Sequence, residues 1–90
     1  MISPSLSSKH RTVLSSLSPG AKATVIGIPE DPDLQGRLLG MGLFPGAEIE
    51  LQQGGAGKRT PLRIAIGNTR IAMSPEIAAQ IIVATNTEPV

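Results

Sequence analysis

The residues that could do chemistry in this chain are few, and the first group is acidic. Glu30, Asp31 and Asp33 would offer oxygen ligands to a hard cation. Transition-metal sites usually include imidazole or thiolate, but the chain has no Cys and its single His, His10, is far from this group in sequence. Asp31 followed by Pro32 is typical of the start of a helix. The sequence therefore predicts a helix N-terminus here and no metal site.

A second segment, residues 54–60, has the glycines and the lysine of a phosphate-binding loop. The Walker pattern needs Gly five residues before the Gly that precedes Lys58, and Ser or Thr directly after that Lys. Here those positions hold Gln52 and Arg59, and Pro61 follows where a helix would have to start. The segment is therefore predicted to be a flexible hairpin loop without a bound nucleotide.

Catalysis has little chemical basis in this sequence. A nucleophile needs a base partner, and the chain offers no Cys and one His, with its Ser residues mostly in the N-terminal segment. A net charge of +1 gives no general attraction to nucleic acid. Phe44 is the only aromatic residue, so the chain has no platform for base stacking or for an aromatic-lined proline-peptide groove. We predict a protein that is not an enzyme, takes no cofactor and binds no nucleic acid.

The absence of Cys also bears on the compartment, because secreted domains this small usually carry disulfides. No apolar run reaches the roughly 18 residues of a membrane span, and residues 1–6 lack the apolar core of a signal peptide. These features predict a cytoplasmic protein without direct membrane insertion.

Alternating apolar residues predict the elements that position these groups. Five short strands are expected at residues 21–28, 47–53, 62–66, 69–73 and 80–84, with a tight hairpin at Gly67 and Asn68. Ile26 and Ile28 break the alternation of the first strand, so either both of its faces are buried there or Gly27 marks a bulge. Five short strands in about 70 residues favour a small, partly open barrel. We assign residues 13–84 to this domain, residues 1–12 to a flexible N-terminal tail and residues 85–90 to a C-terminal tail.

Two helices interrupt the strands. The first runs from Pro32 to about Met41, because Leu34, Leu38 and Met41 share one face and Gly42 is a natural left-handed stop. The second is a short helical turn at residues 75–79, after Ser74 as N-cap. Structural turn residues are expected at Pro19, Gly20, Gly42, Pro45 and Gly46.

Three segments of the chain resemble the FeoA family. Residues 14–20 are similar to its opening Leu-x-x-Leu-x-Pro-Gly. Residues 37–46 are similar to its most recognisable segment, an Arg-Leu helix end that runs into Gly-Leu-x-Pro-Gly. Residues 71–83 resemble its closing pattern, and the resemblance covers residues 13–84. The loop at residues 54–61 departs from the family pattern, which puts partner contacts by that loop in doubt.

The resemblance implies an SH3-like barrel with a helix inserted after the first strand. It also implies a role beside the FeoB-type membrane ferrous-iron transporter, whose cytosolic part is a G-protein-like domain. The same domain occurs at the C-terminus of iron-dependent repressors. The leading hypothesis is thus a non-enzymatic accessory protein that binds and modulates the transporter. One alternative is a detached regulatory domain of an iron-dependent transcription repressor. The other is a self-associating interaction module that forms weak homo-oligomers.

The partner-binding candidates are an apolar group and a basic group. Leu39 and Phe44 would form an exposed apolar spot, with Gln35 on the same outer side of the helix. The alternative is that Leu39 and Phe44 are both buried in the core. The basic candidates would contact an acidic surface of a partner, or they form only a solvated face. They are Arg37, Lys58, Arg59, Arg63 and Arg70. Arg37 has a further alternative, which is to bond the carbonyls of the helix end.

Overall fold

Six antiparallel strands form one sheet in the computed structural model, which describes residues 9–86. The strands run β1 Lys9–Val13, β2 Lys22–Gly27, β3 Glu48–Gln53, β4 Leu62–Ile66, β5 Thr69–Met73 and β6 Ile82–Asn86, in the spatial order β1-β6-β2-β3-β4-β5. Helix α1 spans Pro32–Gly40, helix α2 spans Pro75–Ala78, and a 3-10 turn spans Leu14–Ser16. The predicted class, mainly β with one inserted helix and a late helical turn, is confirmed.

The strand count is one higher than the prediction, because β1 occupies residues assigned to the N-terminal tail. Lys9 lies opposite Asn86 and Val13 lies opposite Ile82, so β1 covers the edge of β6. The segment shows no apolar alternation because an edge strand gains from backbone pairing and tolerates charge. Strand β6 likewise continues two residues past the predicted end at 84. The remaining parts of the two predicted tails, residues 1–8 of 1–12 and residues 87–90 of 85–90, lie outside the described residues.

One face of the sheet and one side of α1 enclose an almost entirely aliphatic core. Four of the five inward positions that alternation predicts on β3 and β4 are buried, namely Ile49, Leu51, Leu62 and Ile64, whereas Ile66 is half-buried. No polar side chain among the described residues is buried with them. The 3-10 turn adds Leu14 and Leu17 to this core, as expected for residues that cap one end. The largest fully buried side chains are Leu14, Leu38, Leu43, Leu51, Leu62, Ile64, Ile81, Val25 and Val83.

Both helices begin at the predicted N-caps. The Asp31 Oδ2 atom accepts a hydrogen bond from the Leu34 N–H at 3.1 Å, and the Ser74 Oγ atom accepts one from the Ile77 N–H at 3.2 Å. Each bond satisfies an N–H that would otherwise lack a partner at a helix start. The acidic residue Asp31 therefore has a structural role.

Helix α1 ends in a Schellman motif centred on Gly42, whose φ is +95°. The Gly42 N–H donates to the Leu39 carbonyl at 3.0 Å, and the Leu43 N–H donates to the Leu38 carbonyl at 2.9 Å. Leu38 and Leu43 are both buried, so the usual apolar contact accompanies this motif. The predicted glycine stop is confirmed, although the helix ends at Gly40 rather than at Met41.

The loop after β3 is tied to the 3-10 turn, a contact that the sequence did not predict. The Ala56 N–H donates to the Leu17 carbonyl at 2.6 Å, and the Gly57 N–H donates to the Ser15 carbonyl at 3.0 Å. Gly55 has a φ of +81°, and a Cβ there would overlap the Leu17 carbonyl oxygen and the Leu51 side chain. A glycine at this position lets the loop approach the backbone of the turn.

We expect Gly55→Ala to lower the free energy of unfolding by about 2–4 kcal/mol, from left-handed strain plus overpacking. Urea unfolding followed by far-UV circular dichroism is the measurement, because the chain has no Trp or Tyr. Gly57→Ala is the matched control: its φ is +75° but nothing lies within 4 Å of its Cβ. It should cost only the strain, about 1–2 kcal/mol. Equal costs for the two variants would show that the close approach to Leu17 does not constrain the loop.

Candidate functional site

Leu39 and Phe44 are both exposed, on either side of the turn that ends α1. Their side chains are 45% and 48% accessible, in contrast to the buried Leu38 and Leu43 next to them in sequence. The alternative that both belong to the core is therefore wrong. Their role in binding a partner stays a prediction.

The backbone of this turn holds the two exposed side chains in place. Besides the Schellman bonds, the Phe44 carbonyl accepts from the Ala47 N–H at 2.9 Å, and the Gly46 N–H donates to the Val25 carbonyl at 2.7 Å. A Cβ built on Gly42 would lie 3.6 Å from Ile66 Cγ2, so the turn lies against the end of β4. We call Leu39, Gly42, Phe44 and Ile66 the helix-end patch.

The polar candidates on α1 differ in their contacts. The half-buried Gln35 donates from Nε2 to the Pro29 carbonyl at 3.2 Å, so its amide already has a partner inside the molecule. Arg37 is exposed, and within residues 9–86 its guanidinium makes no hydrogen bond or ion pair. The structure therefore does not show Arg37 bonding the carbonyls of the helix end. Arg37 and Leu39 are two residues apart on α1, so their side chains leave the helix in different directions.

The remaining basic candidates come after α1 in the chain, in the loop after β3 and on strands β4 and β5. Arg63 lies opposite Ala72, and Arg70 lies opposite Ala65, so the two arginines are diagonal neighbours on the outer face. Both are exposed, which confirms the outward orientation predicted from alternation. Lys58 and Arg59 are exposed in the loop. No ion pair neutralises these four cations within the part of the chain that is described.

A shallow groove of about 990 Å³ crosses the outer face of the sheet, and the sequence did not point to it. Its floor has small side chains, including Ala65 and Ala84, and its rim mixes acidic Glu48 and Glu50 with basic Lys22 and Arg11. The sequence feature that could have indicated this groove is the presence of small residues, such as Ala65 and Ala84, at outward positions of separate strands. Mixed charge at the rim gives the groove no clear preference for a ligand of one sign.

Neither a metal site nor a membrane span emerges from the described residues. In residues 9–86, the structure brings together no group of three His, Asp or Glu side chains that would hold a metal ion. No helix in the same range is long and apolar enough to cross a membrane. The structure therefore adds no ligand set to the acidic group at residues 30–33.

Comparison with protein families gives one match. The FeoA domain model matches residues 12–85. A search of the curated proteins finds no match.

Solved structures give the same result at the level of the fold. An iron uptake regulatory protein, FeoA, is 30% identical with a TM-score of 0.75, covering 82% of this chain and 96% of its own. The zinc complex of FeoA from Stenotrophomonas maltophilia, an SH3 domain protein, is 25% identical with a TM-score of 0.70, covering 80% and 88%. IdeR of T. acidophilum is 26% identical with a TM-score of 0.72, but only 34% of its chain is covered. The predicted SH3-like fold is thus confirmed.

Polar substitution of the helix-end patch should leave the fold intact. We expect Leu39→Gln with Phe44→Ser to change the free energy of unfolding by less than about 1 kcal/mol, as is usual for exposed positions. Leu38→Ala, one residue from Leu39 but fully buried, should cost about 2–5 kcal/mol. Urea unfolding by circular dichroism compares the two, and a double variant as unstable as Leu38→Ala would contradict the exposure of the patch.

Proposed function

The chain belongs to the FeoA family of ferrous-iron transport accessory domains, and we propose that it is a non-enzymatic protein that binds and modulates a FeoB-type membrane ferrous-iron transporter from its cytosolic side. We place the docking surface at the helix-end patch. The observation that carries this placement is the exposure of Leu39 and Phe44 on a hydrogen-bonded turn, whereas most large apolar side chains within residues 9–86 are buried or half-buried.

The apolar chemistry of the patch supports a protein partner. Fully burying an exposed Leu or Phe side chain contributes about 1.5–3 kcal/mol. Leu39 and Phe44 are already about half covered, so each would contribute about half of that on docking. Ile82 on β6 is the other large apolar side chain that is exposed among the described residues, at 44%. Leu39 and Phe44 differ from it because they flank one turn, the one that ends α1.

The preorganisation of the patch also supports docking. Leu39 and Phe44 are held by backbone hydrogen bonds at Gly42, Leu43 and Ala47. A surface that is already ordered loses little conformational entropy on binding.

The mechanism requires no covalent chemistry. A module that binds one conformation of its partner more tightly than another shifts the partner's equilibrium by that difference in affinity. A tenfold preference corresponds to about 1.4 kcal/mol. The G-protein-like domain of the transporter would supply such states through its bound nucleotide.

The similarity to IdeR favours the alternative of a detached regulatory domain of an iron-dependent repressor. This chain covers only a third of that protein, and residues 9–86 contain two separated helices rather than a helix-turn-helix. A regulatory domain of this kind would act only within a DNA-binding assembly. Specific binding to such a repressor in place of the transporter would favour the alternative.

Calorimetry with the cytosolic part of the transporter from the same organism tests the leading proposal. We expect saturable binding whose affinity depends on the guanine nucleotide present. We also expect Leu39→Gln with Phe44→Ser to weaken binding at least about tenfold, as for a small apolar hot spot. Ile82→Thr is the control, because it removes an exposed apolar side chain on β6 and should leave binding unchanged. Absence of binding in every nucleotide state would sink the proposal, and an equal loss with Ile82→Thr would sink the placement at the helix-end patch.

A further inference from the structure

Strand β5 has a free edge. It pairs with β4 along Thr69–Met73, and no strand among residues 9–86 pairs with its other side. The outer edge therefore presents a row of backbone N–H and C=O groups to solvent. Such a row is a template for another extended chain.

The hairpin geometry identifies the groups that point outward. Strands β4 and β5 are joined by the two residues Gly67 and Asn68, with Ile66 opposite Thr69. In an antiparallel ladder that starts from such a turn, Thr69, Ile71 and Met73 direct their backbone groups to β4. The groups of Arg70 and Ala72 then point to the free edge, and no backbone hydrogen bond in the described chain takes them.

The opposite edge of the sheet is protected, whereas the β5 edge is not. Edge strand β1 carries two basic residues, Lys9 and Arg11, and charge of this kind discourages strand addition. Strand β5 carries one charge, Arg70, and neither a proline nor a bulge interrupts it. The two edges therefore differ in their readiness to accept a partner strand.

The side chains at the β5 edge define the chemistry of the strand that fits. On the outer face, Arg70 and its diagonal neighbour Arg63 are exposed and have no ion-pair partner in residues 9–86. On the inner face, Ile71 is half-buried and packs against the core. An added strand would thus place acidic side chains outward beside the arginines and apolar side chains inward beside Ile71.

We propose that β5 binds an extended segment of the partner protein in which acidic and apolar residues alternate, as a seventh strand of the sheet. This inference rests on the proposed function only for the identity of the protein that carries the segment.

A second copy of the chain fits the β5 edge less well than an acidic segment does. Antiparallel pairing of two β5 strands about Ile71 would set Arg70 of one copy opposite Ala72 of the other, on the side where Arg63 also lies. Such a dimer adds cations to this face and no anion.

A synthetic peptide with capped ends, Glu-Ile-Glu-Val-Glu-Ile-Glu, is the probe, and its counterpart with Lys in place of each Glu is the control. With the ¹⁵N-labelled full chain, we expect saturable binding of the Glu peptide and the largest amide shifts at Arg70 and Ala72. The Lys peptide should bind at least about tenfold more weakly, because it opposes two arginines. Equal affinity of the two peptides, or shifts confined to another surface, overturns the proposal.

The matched variants are Ala72→Pro and Ala72→Val. Proline removes an edge N–H that makes no bond to β4, whereas valine retains it. We expect about a three- to tenfold loss of Glu-peptide affinity for Ala72→Pro, the effect of one hydrogen bond, and little change for Ala72→Val. If Ala72→Pro fails to fold, Arg63→Glu with Arg70→Glu replaces it and should reverse the preference between the two peptides. Unchanged affinity or preference in the folded variant overturns the proposal.

Calorimetry of Ala72→Pro with the transporter's cytosolic part separates this inference from the proposed function. Transporter binding that is unaffected by Ala72→Pro, with no peptide binding, supports the function and overturns the edge site. Peptide binding without any transporter binding supports the edge site and removes the proposed partner. A concentration-dependent dimer that Ala72→Pro abolishes in sedimentation would make a second copy the occupant and overturn the proposal.

Discussion

The structure depends on how a small chain fills its core without aromatic side chains. The buried residues are aliphatic apart from Met73, and the single Phe is outside the core. The sheet alone leaves one side of this core open, so α1 and its exit turn must supply Leu38 and Leu43. Both leucines reach the core because Gly42 reverses the chain in a left-handed conformation between them. The same reversal leaves Leu39 and Phe44 facing solvent, so the exposed patch is a direct consequence of core filling.

Features set by neighbouring residues could be predicted from the sequence, and features set by tertiary contacts could not. The N-caps Asp31 and Ser74 and the stop at Gly42 are local choices of the backbone, and each forms the expected bond. The failed alternation at Ile26 allowed either two buried faces or a bulge at the end of β2, and the register shift between Val25 and Gly27 shows the bulge. Strand β1 was missed since its stability comes from pairing with β6 rather than from its own apolar pattern.

The candidate site was predictable in composition but not in geometry. Helical periodicity places Leu39 on the outer side of α1 with Gln35, but it does not show whether another element covers that side, so the sequence left both burial states open. Phe44 lies beyond the helix, where no periodicity applies. The anchoring of the glycine loop at Gly55 depends on the Leu17 carbonyl, which is distant in sequence. The alternation of apolar and polar residues did predict that Arg63 and Arg70 point outward, because a strand has only two faces.

The helix-end patch and the β5 edge are joined by a single hairpin. Ile66 lies against Gly42 at the end of β4, and it pairs across the Gly67–Asn68 turn with Thr69, the first residue of β5. An apolar contact at the patch and a strand added at the edge therefore belong to adjacent parts of one rigid unit. Two linked contacts from the same partner would reinforce each other, because the second forms at a high effective concentration once the first is made. A conformational change in the partner that moves one contact away would remove this reinforcement and weaken the whole complex, so a domain with two such contacts would distinguish the partner's states.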